Sequence, residues 1–563
     1  MKRLLVLLLA LAMVFSLIAC DSQSLTTVDS EQIPAAETSK AYDVIHEILP
    51  DSEFYFLEDE TALASYYAEA NARKDAILNS PTTIVKSDTF IPGETYTGAA
   101  YYVSPNGNDD NDGLSPETAW KSPEHVVWGD VQEGDAVFFE RGGIYRLTEN
   151  CIRLISNVTY SAYGEGSKPV LTIAQENSAQ PEYWELWQEG ENGEKIWRYH
   201  QALGDVGGIV LDDTTYAKRT LEWPTPDGWL AVDVLPMNPV NGLCAPEDPC
   251  TNISIKSAGE YRSVAEQLTE DLTYLSRVDL TGFSYPMDFY QDYRTGDLYL
   301  RCDAGNPGDC FNDIEIMSIQ ISSHGDIYGN LLDGYHADGY VLDNLSLKYY
   351  LSNALSSNLD RSKGAVIQNC TIEWGGNSLF QCESAEPTNN LCLIGDGIYC
   401  VANNVTIRNN YMRHSGNACT FENTGLPAAN LGTYLVEGNL IENCGQGLRT
   451  YFIDPTFENA FDALILRDNI ILDTGSGLNN ACAEMPAAID LGTDGVQFAK
   501  QFEISDNVLL GSTMAIFRIS QHDLVRMNVH DNVIAQSKDG VVSCEMPSAA
   551  PEISWHMMKD AIK

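Results

Sequence analysis

Basic residues are scarce in this sequence. It carries 33 Lys and Arg against 80 Asp and Glu, a formal net charge of −47 over 563 residues. So acidic a chain repels polyanions, which rules against nucleic acid and acidic membrane surfaces as main partners. Its 14 cysteines contain no CxxC pair and no Cys/His spacing of the zinc type, so no metal is expected from them. After the first 20 residues no run is long and apolar enough to span a bilayer.

What is present is a recurring phrase: an apolar run, an Asn, another apolar run. It reads VLDNLSL at Asn344, VIQNCTI at Asn369, VTIRNNYM at Asn410 and YLVEGNLI at Asn439. It continues as LILRDNIIL at Asn469, FEISDNVLL at Asn507 and MNVHDNVIA at Asn532, with spacings of 25, 41, 29, 30, 38 and 25 residues. A period in the mid-twenties with insertions means one supersecondary unit per repeat, stacked on its neighbours. The unit is too short for a strand–helix–strand crossover, and its strands alternate apolar and polar. The expected fold class is therefore all-β, a β-solenoid.

Residues 1–20 read as a signal segment: Lys2 and Arg3, then the apolar stretch Leu4 to Ile18. LIAC, ending at Cys20, resembles the lipobox of bacterial lipoproteins, which implies lipidation of that Cys. The expected location is extracytoplasmic, with the protein held to the membrane by the lipid alone. Residues 21–98 read as a polar tether and a helical pattern from about Glu60 to Leu78. Residues 99–174 begin the solenoid, 175–310 form a Trp- and Pro-rich β insertion, 311–545 hold the main coils, and 546–563 cap the open end. Within the insertion, DFYQDYRTGDLYLRC reads as a hairpin turning at Arg294-Thr295-Gly296. Cys244/Cys250, Cys302/Cys310 and Cys382/Cys392 are close enough for local bridges, whereas Cys370, Cys400, Cys419 and Cys444 read as free thiols inside the coils.

The phrases YYVSPNGNDDNDGLSPETAW, GDAVFFERGGIYR, SAYGEGSKPVL, DFYQDYRTGDLYL, CTIEWGGNS, GDGIYC and VTIRNNYMRHSGNACTFEN occur in order over about residues 73–535. Together they resemble the right-handed parallel β-helix proteins of the pectate-lyase-like superfamily, and are similar to secreted bacterial enzymes of glycoside hydrolase family 141. The resemblance implies a right-handed β-helix and activity on a polysaccharide or oligosaccharide, though a fold hosts many chemistries. The sequence departs from that group in HSGNACTFE, where Asn417 replaces an acid and Glu422 lies near a usual Gln. It also has Tyr399 for Glu in GDGIY, and lacks a His-Gly pair after LSLKYY.

In such coils the Asn falls at the tight turn between the second and third strands, where its amide bonds to the Asn one coil away. The first strands are then expected at SLFQCE, GIYC, ACTFE, GLRTY, AAIDL and AIFRI. With Leu379, Ile398, Cys419, Phe421, Leu448, Ile489 and Ile516 inward, the outward set includes Phe380, Tyr399, Thr420, Glu422, Arg449, Tyr451, Asp490 and Phe517. A glycosidase needs a protonated and an ionised carboxyl. Asp396 and Glu422, expected on adjacent coils, are the candidate pair, with Glu422 as the acid beside Phe421 and Tyr399. Glu373 and Glu383 are reserve acids. Tyr399, Asn417, Gln446, Arg449, Tyr451, Asp490, His414 and Trp374 are the candidate sugar contacts. Alternatives stand beside several: a salt bridge from Arg449 to Asp490, turn packing for Trp374, a surface turn for His414. The acidic run Asn106 to Gly113 has loose calcium-loop character without a position-12 Glu. It reads as a solvated turn, with Ca²⁺ the alternative, and no other cofactor is expected. The expected function is glycoside hydrolysis of a plant or host polysaccharide by a monomer. A uronate-directed lyase and a non-catalytic glycan-binding protein are the alternatives.

Overall fold

In a computed structural model of the chain, the described residues are 51–536 apart from 129, 148–150, 204–205, 220, 226–227, 233–286, 293–295, 319–329, 358–363, 377, 383–389, 401–402, 423–431, 452–460, 476–486, 492–498, 513–514 and 519–526. Cys20 and the expected cap at 546–563 lie outside them. The chain winds as a right-handed parallel β-helix with three sheets, each coil giving one strand to each in turn. The first sheet stacks Ile152–Arg153, Leu332–Asp333, Leu355–Ser357, Asp396–Cys400, Asn417–Glu422, Gln446–Tyr451, Ala487–Asp490 and Ala515–Arg518. The second sheet runs from Ala100–Val103 to Met527–His530, and the third from Ile144–Arg146 to Val533–Gln536, every pair parallel. Apolar side chains from all three sheets fill the interior as one continuous core. Cys370, Cys400, Cys419 and Cys444 are free thiols buried in it, and Cys302 and Cys310 are also unbridged.

The recurring Asn marks the corner between the second and third sheets. Asn410, Asn439, Asn469, Asn507 and Asn532 form a continuous ladder inside it, each fully buried. Asn439 Nδ2 donates to Asn469 Oδ1 at 2.9 Å and to the Ile407 carbonyl at 3.0 Å, while its own Oδ1 accepts Asn410 N–H at 2.9 Å. The same pattern repeats from Asn469 to Asn507 and from Asn507 to Asn532. The residue just before each rung is left-handed: Asn409, Gly438, Asp468, Asp506 and Asp531 all have φ between 54° and 67°, which suits Asn, Asp and Gly. Asn344 (φ 57°) and Asn369 (φ 53°) occupy this earlier position rather than the rung. Their rung is the following residue, as Cys370 N–H donating to Asn410 Oδ1 at 2.9 Å shows. The Asn register is therefore one residue off at those two coils.

A buried amide stripped of its partner costs about 1–3 kcal/mol. Asn469→Leu breaks bonds on both sides of its coil and is expected to lower stability by about 3 kcal/mol, read as a fall in the urea midpoint. A change confined to a few tenths of a kcal/mol would mean that the ladder contributes little.

Two pieces lie against the solenoid. The N-terminal strand Glu53–Phe56 pairs in parallel with Val533–Gln536 and so becomes the edge strand at the far end of the third sheet. Helix α1, Glu60–Leu78, then runs back over that sheet. Leu63, Ala70 and Ile77, seven residues apart, form its buried stripe on Tyr411, Leu440, Ile470 and Val508. The second piece is a seven-stranded insertion sheet in the order Trp184–Glu189, Lys195–Tyr199, Asp297–Arg301, Asp288–Asp292, Thr215–Arg219, Val206–Leu211, Ile314–Ser318. Asp288–Asp292 and Asp297–Arg301 form the hairpin expected from DFYQDYRTGDLYL, with Gly296 at φ 77° in its turn. Ile314–Ser318, read from sequence as the start of the coils, pairs antiparallel with Val206–Leu211 instead.

SLFQCE also differs from its reading as a coil strand. Ser378–Cys382 pairs antiparallel with Asn390–Ile394, forming a hairpin that leaves the solenoid. The strand it was expected to supply is Leu355–Ser357, which pairs with Asp396–Cys400.

Candidate functional site

The first sheet carries most of the expected site residues, and its local geometry decides which way they face. Gly397, Ala418, Gly447 and Ala488 form one row across the coils, and Ile398, Cys419, Leu448 and Ile489 form the next. Both rows point inward. A Cβ on Gly397 would meet Ile372 Cγ2 at 3.2 Å, one on Gly447 would meet Ile471 Cγ2 at 3.1 Å, and the other six side chains sit in the core. Two successive inward rows kink each strand, as a bulge does. The residues on either side of the kink then share the outer face: Asp396, Asn417 and Gln446 before it, Tyr399, Thr420, Arg449 and Asp490 after it.

One hydrogen bond runs within the first set and one joins it to the second. Asn417 Nδ2 donates to Asp396 Oδ1 at 2.6 Å, and Gln446 Nε2 donates to Asp490 Oδ2 at 2.9 Å. Asp396, Asn417 and Gln446 are direct Cα partners on three successive coils. Arg449 Nε lies 3.9 Å from Asp490 Oδ2, the cross-coil salt bridge weighed from the sequence. The result is a row of carboxylate, amide, amide and carboxylate with a guanidinium beside its end. Asp396, Arg449 and Asp490 are only 6, 7 and 1 % exposed. Two carboxylates so far from solvent are costly unless donors meet them, and both are met. Among the described residues, the buried Asn417 Oδ1 and Thr420 Oγ1 have no hydrogen-bond partner, and such orphaned atoms call for a functional or solvent explanation. Thr420 was not among the candidate sugar contacts. Its outward parity was the available signal.

Asp396 and Glu422 are not brought together as a retaining pair. Asn417 is the partner of Asp396, and Glu422 lies five residues further along the same strand, opposite Tyr451. At about 3.3 Å per residue that is roughly 16 Å along the strand, well beyond the ~5–5.5 Å of a retaining pair. Phe421, read as inward from its parity, does point into the core, against Tyr434 at 5.0 Å. The side chains of Glu422 and Tyr451, and the whole of Glu383, lie outside the described residues. Phe517, placed outward from the sequence, pairs with Ile489 and joins the core.

Glu373, Trp374 and His414 belong to a different place, the outer side of the third sheet where the insertion docks. Lys348, Glu373, Arg413 and Glu442 are in register on four successive coils, an alternating charge ladder. Arg413 Nε donates to Glu373 Oε2 at 2.5 Å, and Lys348 Nζ lies 3.3 Å from Glu373 Oε1. The insertion contributes Asp213 from the turn after Val206–Leu211, with φ 52°. Its carboxylate accepts from Lys348 Nζ at 2.8 Å, Tyr349 Oη at 3.1 Å and Trp374 Nε1 at 2.6 Å. Trp374 is fully buried, so it packs the junction and offers no face to a sugar. His414 stacks on it at 3.9 Å and 9°, facing the insertion's Tyr216 rather than the open surface. Burial, with Arg413 adding to it, pulls the His414 imidazole down to about 3. The same ladder reaches α1, since Lys74 Nζ lies 3.4 Å from Glu442 Oε2. A second clamp joins the insertion to the solenoid: Arg146 donates two hydrogen bonds to Glu315, at 2.7 and 2.6 Å.

In the acidic run, Asp109 accepts from Lys121 N–H and Ser122 N–H, each at 2.8 Å, and Asp112 from Thr118 Oγ1 at 2.6 Å. These carboxylates hold a turn. Among the described residues no group of three or more His, Cys, Asp or Glu side chains is placed to hold a metal ion.

No family model matches this chain, and no curated protein matches it. Among solved structures, the chain is similar to XylC in its complex with xylose, at 12% identity over 80% of this chain and 70% of that one, with a TM-score of 0.38. It is similar to the GH136 lacto-N-biosidase of Eubacterium ramulus, at 12% identity over 80% and 68%, TM-score 0.29. It is also similar to a structure described as a glycoside hydrolase, at 10% identity over 83% and 98%, TM-score 0.31. The chain's own register establishes its architecture: three parallel sheets wound as a right-handed β-helix, the fold of the group that its sequence resembles.

Proposed function

We propose that this protein is an exported, lipid-anchored glycoside hydrolase whose site is the outer face of the first sheet, with Asp396 and Asp490 as its carboxyl pair. The observation that carries this reading is the group Asp396, Asn417, Gln446 and Asp490 on one face, in which each of two buried carboxylates accepts from an amide and the two amides are partners on adjacent coils. Asp490 lies three coils from Asp396 and three residues further along its strand, which by strand geometry sets the two backbone positions roughly 17 Å apart, with Asn417 and Gln446 standing between them. So wide a placement is incompatible with the ~5–5.5 Å of a retaining pair, and the inverting arrangement, whose carboxyl groups stand ~6.5–9.5 Å apart around a water, is the one proposed. Asp490 carries the donors that an ionised carboxylate uses, Arg449 and the Gln446 amide, and is assigned as the base that activates water. Asp396, met by the neutral Asn417 amide, is assigned as the proton donor to the leaving oxygen. Tyr399 offers the ring that a sugar's C–H face stacks on.

The test is reducing-end release from a panel of neutral and acidic glycans by wild type, Asp396→Asn and Asp490→Asn. Loss in both variants supports the pair. A product with unsaturated-uronate absorbance replaces the reading with a lyase, and retention of glycan without turnover replaces it with a binding protein. For the anchor, Cys20→Ser is expected to move the protein from the membrane fraction to the soluble exported fraction. Unchanged sedimentation would sink lipidation at that residue.

A further inference from the structure

We propose that Tyr335 is a sugar-stacking platform at the N-terminal end of the same face, so that the ligand is an extended glycan lying along the solenoid axis rather than a single sugar in a pocket. This rests on the reading of that face as glycan-directed. Tyr335 is 45 % exposed, one of the few large apolar side chains so open to solvent among the described residues. Its position follows from the register. Leu332–Asp333 is a strand of the first sheet, with Asp333 partnered by Ser356, Ser356 by Tyr399, and Tyr399 by Thr420. Tyr335 comes two residues after Asp333, in the turn by which the chain leaves this strand, two coils from Tyr399. Two coils are about 10 Å, and one coil is close to the length of one pyranose unit. A glycan following the axis would therefore set about one sugar on each coil between the two tyrosines.

The turn that carries Tyr335 is built to hold it still. Asp333 Oδ1 accepts Tyr335 N–H at 2.9 Å, and Gly334 C=O accepts Ala337 N–H at 3.0 Å. A Cβ on Gly334 would press on the Tyr340 ring at 3.0 Å, so the turn lies tight on the core. His336 takes φ 63° and sets its ring 3.8 Å from that of Tyr335. Left-handed backbone at a non-glycine residue costs on the order of 1–3 kcal/mol and collects at ligand clamps. An exposed aromatic ring carried on a turn whose backbone is held loses less freedom when a ligand stacks on it than one on a loose loop, which favours a platform.

The experiment is affinity electrophoresis of the full exported chain in gels cast with arabinoxylan, galactomannan or gastric mucin. Wild type is expected to be retarded in at least one of the three. Tyr335→Ala is expected to weaken that retardation about tenfold in apparent Kd, and Tyr335→Phe to keep it, since the ring and not the hydroxyl does the stacking. The proposal is overturned if Tyr335→Ala runs as wild type does, or if wild type is unretarded in all three gels. Binding is read here without turnover. A wild type retarded through Tyr335 that releases no reducing ends would remove the hydrolase assignment and leave the platform in place.

Discussion

Asp396→Asn and Asp490→Asn are each expected to lower glycan hydrolysis by about 10³-fold, within the 10²–10⁴ range of general acid–base catalysis. The effect should fall on kcat more than on KM, because a proton in transit is a transition-state feature and an Asn of the same shape still binds substrate. Asp490→Asn also leaves Arg449 without its carboxylate neighbour 3.9 Å away. Near-UV circular dichroism should therefore accompany the kinetics, to show that the face is intact. Glu422→Gln is expected to cost tenfold or less, since its strand position lies roughly 16 Å from the Asp396 row. If Glu422→Gln were the more damaging change, the assignment of Asp490 would be lost.

The second large effect is expected at the junction of insertion and solenoid. Glu373 is 3 % exposed and paired with both Arg413 and Lys348. Truncating one partner of a buried ion network strands the others, so Glu373→Ala should cost about 3–5 kcal/mol. Urea unfolding measures it, and a loss under 1 kcal/mol would mean that the cluster behaves as a surface pair. The same cluster sets a pH dependence. Burial pushes the Asp213 carboxyl up, but Lys348, Arg413 and the Trp374 N–H outweigh it and hold it below its ordinary range. A lowered carboxyl contributes stability above its unfolded value near ~3.9 and loses it as pH falls through the folded value. His414 acts in the same direction: held neutral down to about 3, it opposes folding as pH drops below its unfolded value near ~6.5. The junction is therefore expected to weaken steadily from about pH 6.5 toward 3. A melting temperature independent of pH across that window would contradict this.

How far the sequence could be read depends on where each determinant lies. The coil corner was legible because its chemistry is local: a left-handed residue followed by a buried Asn appears as Asn-Asn, Gly-Asn or Asp-Asn. The reading slipped at Asn344 and Asn369 because a single Asn satisfies either position. SLFQCE was mistaken for a coil strand because a hairpin arm and a coil strand share one composition. The true strand, Leu355–Ser357, is only three residues long. The helix at Glu60–Leu78 was readable, but its place on the third sheet was not, because the edge strand before it pairs across nearly the whole chain. The outer face was legible in Tyr399, Asn417, Gln446, Arg449 and Asp490. The kink at Gly397 and Gly447 was not, since it depends on Ile372 and Ile471 from another sheet. That kink is what keeps Asp396 on the face and sets Glu422 too far along it. Asp213 carries no motif at all, and its four partners come from three different coils.

Asp396 and Asp490, three coils apart, stand too far from each other for a covalent, retaining mechanism. Proton NMR of the first product formed from a cleaved glycan reads this directly. The prediction is that the new reducing end appears with the anomeric configuration opposite to that of the bond cleaved, before mutarotation mixes the forms. First-formed product with retained configuration would require a pair only about 5–5.5 Å apart and would contradict the assignment of Asp396 and Asp490.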